Sequence, residues 1–292
     1  MSVSIATRGI SSFQPAGLFV NAGARFYSQC AVFRQSVQSE DLLNVINRQC
    51  FALIVPKYCE KHVCDFASNK IKQLRLDEYD NPQEASEMNG LCMAYFESKK
   101  DKEEFEPYCE HKSRSMDKLE VSFYPFKNPI DKLKQELNNA WLSGSNTLNF
   151  ENGDAFTGVA TVINSQPLPH IDNIISNKGD KRAAHDYIAM LAAKIYLKVP
   201  KIGGELCFWD LTLDDKEYDK MCGDSDGIDP KKLPPPDIEI KPSQGDLILF
   251  NPQKLHMVKI HSDCSDKLIC YSSFIKYAGQ DKPLSFWNSK GL

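Results

Sequence analysis

Three residues with metal-binding side chains stand in a sequence context that could place them around one ion. His170 and Asp172 lie in Leu-Pro-His-Ile-Asp-Asn at 168–173, and His256 lies further on, after the apolar run Leu247–Phe250. Alternate residues of a strand point to the same side, so one short strand can aim His170 and Asp172 at a single ion. Two histidines and one carboxylate are the ligand set that holds non-haem Fe(II) and leaves other coordination positions open. We therefore predict an iron site at these three residues.

Short strands must position these ligands. After residue 143 the chain consists of short apolar segments divided by Gly, Pro and Asp, which is typical of a sandwich or barrel. Helical patterns are gathered before them, so we predict an α+β fold: a double-stranded β-helix (jelly-roll, cupin-like) core buttressed by N-terminal helices. The predicted strands are 156–163, 168–172, 191–199, 205–210, 237–241, 246–250, 255–260 and 267–277.

The helical part is read from apolar spacing and capping residues. A capped amphipathic helix starts at Ser39, a strand follows at 51–56, and a second helix covers 57–75. In 130–141, four apolar residues repeat at helical spacing, which predicts a third helix with one buried face.

The domain prediction divides the chain into two parts. Residues 1–35 form an N-terminal arm, and 36–292 form a single domain. Residues 211–236, rich in Asp and ending in Pro-Pro-Pro, are predicted to be a surface insertion that acts as a lid; they lack the register of a calcium loop. The first 28 residues, basic and free of Asp and Glu, alternatively fit a transit peptide and an organellar location.

Bulk properties exclude several partners. The 292 residues carry a net charge of −4, which gives no electrostatic reason to bind nucleic acid or an anionic membrane. The ten cysteines are scattered without a framework, which favours reduced thiols and a cytoplasmic protein. Zinc at Cys59 and Cys64 is disfavoured because no second ligand pair follows. We expect a monomer or homodimer.

Longer motifs surround the three ligands and carry a family resemblance. Pro-His-Ile-Asp-Asn ends at Asn173, Tyr-Leu-Lys-Val-Pro-Lys-Ile-Gly-Gly-Glu-Leu-Cys-Phe-Trp-Asp spans 196–210, and Gly-Asp-Leu-Ile-Leu-Phe-Asn spans 245–251. In this order they resemble the Fe(II)/2-oxoglutarate-dependent oxygenase superfamily, in particular its bacterial and natural-product members. The resemblance covers roughly residues 118–292.

The resemblance implies a reaction. Fe(II), 2-oxoglutarate and O2 would oxidise an unactivated C–H bond of a small molecule, an amino acid or a natural-product intermediate, with release of succinate and CO2. Related halogenases lack the carboxylate that Asp172 supplies here. We therefore expect hydroxylation, desaturation or oxidative cyclisation, and not halogenation.

The resemblance also implies a buried cation for the distal carboxylate of 2-oxoglutarate, because an unpaired buried charge is costly. Lys267 is the first choice and Lys194 the second, although alignment on Ser272-Ser273-Phe274 puts Leu268 in the cationic register. Other expected contacts are Ser273 and Tyr196 with the cosubstrate, and Asn173, Trp209 and Thr161 with the substrate.

Two alternatives remain open from the sequence. One is a cupin-like metal-dependent isomerase or hydrolase that does not use 2-oxoglutarate. The other is a jelly-roll binding module without catalytic activity.

Overall fold

The computed structural model describes residues 31–78, 119–150, 153–155, 157–163, 166–172, 187–225, 227–261 and 266–288. Within these residues the helices are Ser39–Ile46 (α1), Lys61–Glu78 (α2), Pro129–Ala140 (α3) and Asp215–Cys222 (α4); residues 119–123 are also helical, and a 3-10 turn covers Pro230–Lys232. The strands are Ala31–Phe33 (β1), Ala52–Val55 (β2), Ser145–Thr147 (β3), Asn149–Phe150 (β4), Gly153–Asp154 (β5), Val159–Ile163 (β6), Ala189–Lys198 (β7), Leu206–Phe208 (β8), Ile238–Ile240 (β9), Leu247–Phe250 (β10), His256–Val258 (β11), Leu268–Tyr277 (β12) and Leu284–Trp287 (β13).

Most strands join one large mixed sheet. Its order is β1-β2-β10-β7-β12-β13-β3, and β6 pairs with β12 beside this path. The two outermost pairs, β1 with β2 and β13 with β3, are parallel, and the remaining pairs are antiparallel. A small antiparallel sheet has the order β11-β8-β9, and β4 pairs with β5.

The large sheet is buried on both faces, and the central strand β7 shows the alternation. Leu191, Ala193 and Ile195 point to the helix face, where they belong to one core with α1, α2 and α3. Ala192 and Tyr196 point to the inner face, where they belong to a second core with β8 and β9 of the small sheet. The two sheets therefore form a sandwich, and the helices back only the large sheet.

Helix α3 is one of the helices that back the large sheet, and its sequence explains where it begins and which face it buries. Asn128 caps the helix by accepting from the Ile130 N–H at 2.9 Å, and Pro129 occupies the first turn. Ile130, Leu133 and Leu137 recur at helical spacing and are fully buried against the sheet. Each such side chain contributes about 1.5–3 kcal/mol of burial free energy.

The α+β prediction with helices buttressing a β core is confirmed, whereas the double-stranded β-helix stays a prediction. Strand pairing begins at β1, inside the segment predicted to be an arm, and 168–172 forms an isolated bridge at His170 in place of a strand. Among the described residues, no helix has the length and apolar character needed to span a membrane.

Candidate metal centre

Backbone pairing brings the distant ligands together. The His170 N–H donates to the His256 carbonyl at 2.9 Å, and the His256 N–H donates to the His170 carbonyl at 3.0 Å. The Asp172 N–H donates to the Pro252 carbonyl at 2.9 Å. The segment Leu168–Asp172 is thereby laid along β11, so its two ligands face the ligand on β11.

The donor atoms of the three side chains converge. His170 Nε2 lies 3.8 Å from Asp172 Oδ1, and His256 Nε2 lies 3.7 Å from Asp172 Oδ2. All three residues offer ligand atoms within 4.8 Å of one another, and this is the only cluster of its kind among the residues that the structure describes. Metal–ligand bonds are about 2 Å long, so atoms at these separations are within reach of one ion.

Each imidazole is held in the orientation that a metal ligand needs. His170 Nδ1 lies 2.8 Å from the Leu168 carbonyl, and His256 Nδ1 lies 2.8 Å from the Lys254 carbonyl. A carbonyl only accepts, so Nδ1 carries the proton in both rings and Nε2 keeps its lone pair. Such a fixed tautomer is the usual support of a metal-binding histidine.

The electrostatics of the site fit a divalent cation. Burial raises the pKa of Asp172, and the nearby Lys194 cation opposes that rise. Burial also lowers the pKa of His256. Asp172 Oδ2 and His256 Nε2 are buried and have no hydrogen-bond partner in the structure. Buried polar atoms of this kind cost free energy, and a shared metal ion would satisfy both.

A polar group of side chains lies behind the ligands, on the inner face of the large sheet. Lys194 of β7 is 4% exposed and forms no ion pair with any described residue. Tyr196 follows on the same face, and Thr161 of β6 lies opposite Cys270, the β12 partner of Tyr196. The Tyr196 hydroxyl and Thr161 Oγ1 are buried without a partner. Burial raises the pKa of Tyr196, so its hydroxyl stays neutral.

Aromatic rings enclose the ligand on β11. The Phe250 ring centroid lies 5.1 Å from that of His256, and the Phe208 centroid lies 6.2 Å from it. Lys194 Nζ lies 5.9 Å from the Phe250 centroid. The ligands and the lysine therefore share an apolar enclosure in which charge interactions are strong.

The two lysines predicted to bind the cosubstrate lie in different surroundings. Lys267 is exposed and precedes β12, whereas its neighbour Leu268 is fully buried on the inner face. Adjacent strand residues face opposite ways, and the register shift in β12 lies further along, between Ile269 and Cys270. Lys194 is a buried cation on the inner face of the large sheet.

The structure also places Ser273 away from the inner face of the large sheet. Ser273 pairs with Ala193 on the helix face, and its hydroxyl donates to the Trp287 carbonyl at 3.1 Å. Ser272 pairs with Lys194 on the inner face instead. The pairing register of β7 with β12 shows that Ser272, and not Ser273, faces the interior. This register depends on contacts between distant segments, so it cannot be read from a single sequence.

Trp209 also lies away from the ligands. Its ring belongs to a cluster on the outer face of the small sheet, and Nε1 donates to the Pro234 carbonyl at 2.7 Å. The preceding Phe208 is the residue that faces the interior. The predicted substrate contact Asn173 lies outside the described residues.

Comparisons with known proteins find solved structures that are similar to this chain at low identity, and two of them are described here. An N-substituted L-amino acid dioxygenase from Burkholderia ambifaria is 13% identical, with a TM-score of 0.46 over 76% of this chain and 91% of that one. HygX from Streptomyces hygroscopicus, solved with nickel and 2-oxoglutarate bound, is 13% identical, with a TM-score of 0.43 over 82% of this chain and 87% of that one. No protein-family model and no curated protein matches the chain. Likenesses at these TM-scores do not identify a function, so the residues of the site must do so.

Proposed function

We propose that the protein is an Fe(II)- and 2-oxoglutarate-dependent oxygenase. The observation that carries the proposal is the combination of three converging ligand side chains with a buried lysine behind them on the facing sheet. In this proposal His170, Asp172 and His256 are the ligands of the metal ion. Lys194 remains as a buried positive charge without an ion-pair partner in the described part of the chain. A buried charge of this kind calls for a counter-charge, and a small dicarboxylate supplies one.

In this proposal the three ligands hold Fe(II), and Lys194 binds the distal carboxylate of 2-oxoglutarate. Tyr196 and Thr161 donate hydrogen bonds to the same carboxylate, which satisfies their buried oxygens. When bound, the metal and cosubstrate supply the oxidising chemistry, with O2 consumed and succinate and CO2 released. Phe208 and Phe250 exclude water from the ligand side of the site.

The substrate in this proposal is a small molecule, an amino acid or a natural-product intermediate, as the sequence motifs imply. An intact carboxylate at Asp172 favours hydroxylation, desaturation or cyclisation of a C–H bond. These outcomes are distinguished by product mass, since hydroxylation adds one oxygen and the other two remove two hydrogens.

The proposal is tested by anaerobic addition of Fe(II) and 2-oxoglutarate. We expect a weak visible charge-transfer band from the bidentate complex, and succinate formation once O2 is admitted. His256→Ala removes one ligand and should abolish both signals, as measured by absorption spectroscopy and succinate assay. Absence of the band from the unmodified protein, together with tight Zn(II) binding, would support a cupin-like hydrolase or isomerase instead.

A further inference from the structure

The segment that carries two metal ligands is hydrogen-bonded along both of its edges. On one edge, the backbones of His170 and Asp172 pair with β11 and the loop before it. On the other edge, the Pro169 carbonyl accepts from the Ile228 N–H at 2.8 Å, and the Ile171 N–H donates to the Tyr218 hydroxyl at 3.2 Å. Successive residues of an extended segment point their backbone groups in opposite directions, so this second edge needs its own partners.

Those partners come from residues 211–236, the segment predicted to be a lid. Its helix α4 starts with a capping box in which Asp214 accepts from the Glu217 N–H at 2.8 Å and Glu217 accepts from the Asp214 N–H at 3.1 Å. This cap fixes the turn of α4 that carries Tyr218.

The approach of this segment to the ligand strand is close. A Cβ at Gly227 would lie 2.7 Å from the Pro169 carbonyl oxygen and 2.8 Å from Leu168 Cβ. Glycine is therefore required at this position for the Ile228 N–H to reach its acceptor. The side chain of Ile171, between the two ligands, packs on the same segment together with Trp209 and Ile228.

We propose that residues 211–225 and 227–236 clamp the ligand segment 168–172, and that Tyr218 is a positioning residue for the metal site. The inference rests on the proposed function only in taking His170 and Asp172 as metal ligands. The Tyr218 hydroxyl holds the backbone between the two ligands by accepting from the Ile171 N–H. Without the hydrogen bond from Ile171 to Tyr218, this edge of the ligand segment keeps the hydrogen bond between Pro169 and Ile228. The two ligands then lose part of their fixed geometry before metal binds.

Tyr218→Phe tests the clamp because it removes the acceptor and keeps the ring. In the metal-free protein, hydrogen exchange of the Ile171 amide should become faster, while the thermal midpoint stays within a few degrees of the unmodified protein. The dissociation constant for Co(II), followed by its visible absorption, should rise about 10-fold. Tyr277→Phe is the matched control, since Tyr277 lies on the helix face beside Trp141 and should change neither measurement.

Gly227→Ala provides a second arm that pushes the two segments apart. We expect a rise in the Co(II) dissociation constant of about 10-fold to 100-fold, with an altered Co(II) spectrum. Gly223→Ala lies in the same segment, with open space around its Cβ and a φ of +64°. It should lower stability and leave Co(II) affinity unchanged.

The outcomes separate the two proposals. If the unmodified protein binds Co(II) and both Tyr218→Phe and Gly227→Ala bind it equally well, the clamp is overturned and the metal site stands. If the unmodified protein binds no Co(II) but Tyr218→Phe still speeds exchange at Ile171, the contact is structural only and the clamp for a metal site is overturned together with the function.

Discussion

At the scale of single residues, the lysine behind the ligands distinguishes this site from a simple metal centre. Lys194 is surrounded by Ala192, Tyr196 and Phe250 in the core between the sheets. A cation in such surroundings costs several kcal/mol unless an anion or hydrogen-bond acceptors accompany it. The side chain of Lys267, by contrast, is exposed, and an exposed lysine contributes little to binding because water and salt screen its charge.

The first prediction compares these two lysines. Lys194→Ala should raise the 2-oxoglutarate concentration for half-maximal succinate formation by about 30-fold or more, since losing one partner of a buried charge pair costs about 2 kcal/mol or more. Lys267→Ala should leave that concentration within about twofold. Succinate release measured against 2-oxoglutarate concentration gives both values. An equal response of the two variants, or the reverse ranking, would remove Lys194 from the cosubstrate site.

At the scale of elements, the Gly-Asp pair before β10 has a structural role that the motif alone does not reveal. Asp246 accepts from the Lys57 N–H at 3.0 Å and from the Ser243 N–H at 2.8 Å, so one carboxylate ties the turn to the loop after β2. Gly245 has a φ of +89°, and a Cβ there would lie 2.2 Å from the Cys59 carbonyl oxygen. This turn starts the strand that leads to β11 and its ligand.

A second prediction follows for this turn. Asp246→Ala leaves two backbone donors without their acceptor and should lower the free energy of unfolding by about 1–3 kcal/mol. Urea denaturation of the metal-free protein measures the change. The exposed Asp224 provides the control, and Asp224→Ala should stay within about 0.5 kcal/mol of the unmodified protein. A loss of metal affinity in Asp246→Ala without loss of stability would contradict a purely structural role.

The positions of the central strands could be predicted from the sequence, whereas the face of the sheet on which each side chain lies could not. The apolar runs of β7, β10 and β12 identify central strands because these strands are buried on both faces. The same continuous burial removes the alternation that would show which residues point inward. The structure does not place Lys267, Ser273 and Trp209 on the interior faces where the prediction needs them. Their neighbours Leu268, Ser272 and Phe208 face the interior.

Non-local pairing accounts for the elements that were missed. β1 and β3 are three-residue strands that pair in parallel with β2 and β13, and nothing within such short segments marks the partner. The ligand segment around His170 was predicted as a strand, and its bridge to β11 provides the geometry that the alternation required. The three candidate ligands could be picked out from the sequence because their side-chain chemistry is specific, whatever the register of the sheet, and the structure brings their donor atoms together.

At the scale of the whole molecule, the candidate site lies between the large sheet and the small sheet, and both sheets contribute side chains to it. The metal ligands come from the small sheet and its added segment, whereas Lys194, Tyr196 and Thr161 come from the large sheet. On both sides, buried polar atoms have no hydrogen-bond partner among the described residues: Asp172 Oδ2 and His256 Nε2 on one, the Tyr196 hydroxyl and Thr161 Oγ1 on the other. A ligand that satisfies them is therefore expected to strengthen the contact between the sheets and to stabilise the fold as a unit.

The third prediction is a metal-dependent thermal stability. A metal that binds only the folded state, present at about 100 times its dissociation constant, adds about 2.7 kcal/mol, which for a domain of this size corresponds to a rise in Tm of about 5–10 °C. Thermal denaturation with Co(II), and again after chelation, measures the effect. Asp172→Ala removes one ligand and a carboxyl group whose charged form burial disfavours, so this variant should lose the Co(II) response without a lower metal-free Tm. An equal rise in Asp172→Ala would place the metal elsewhere in the protein.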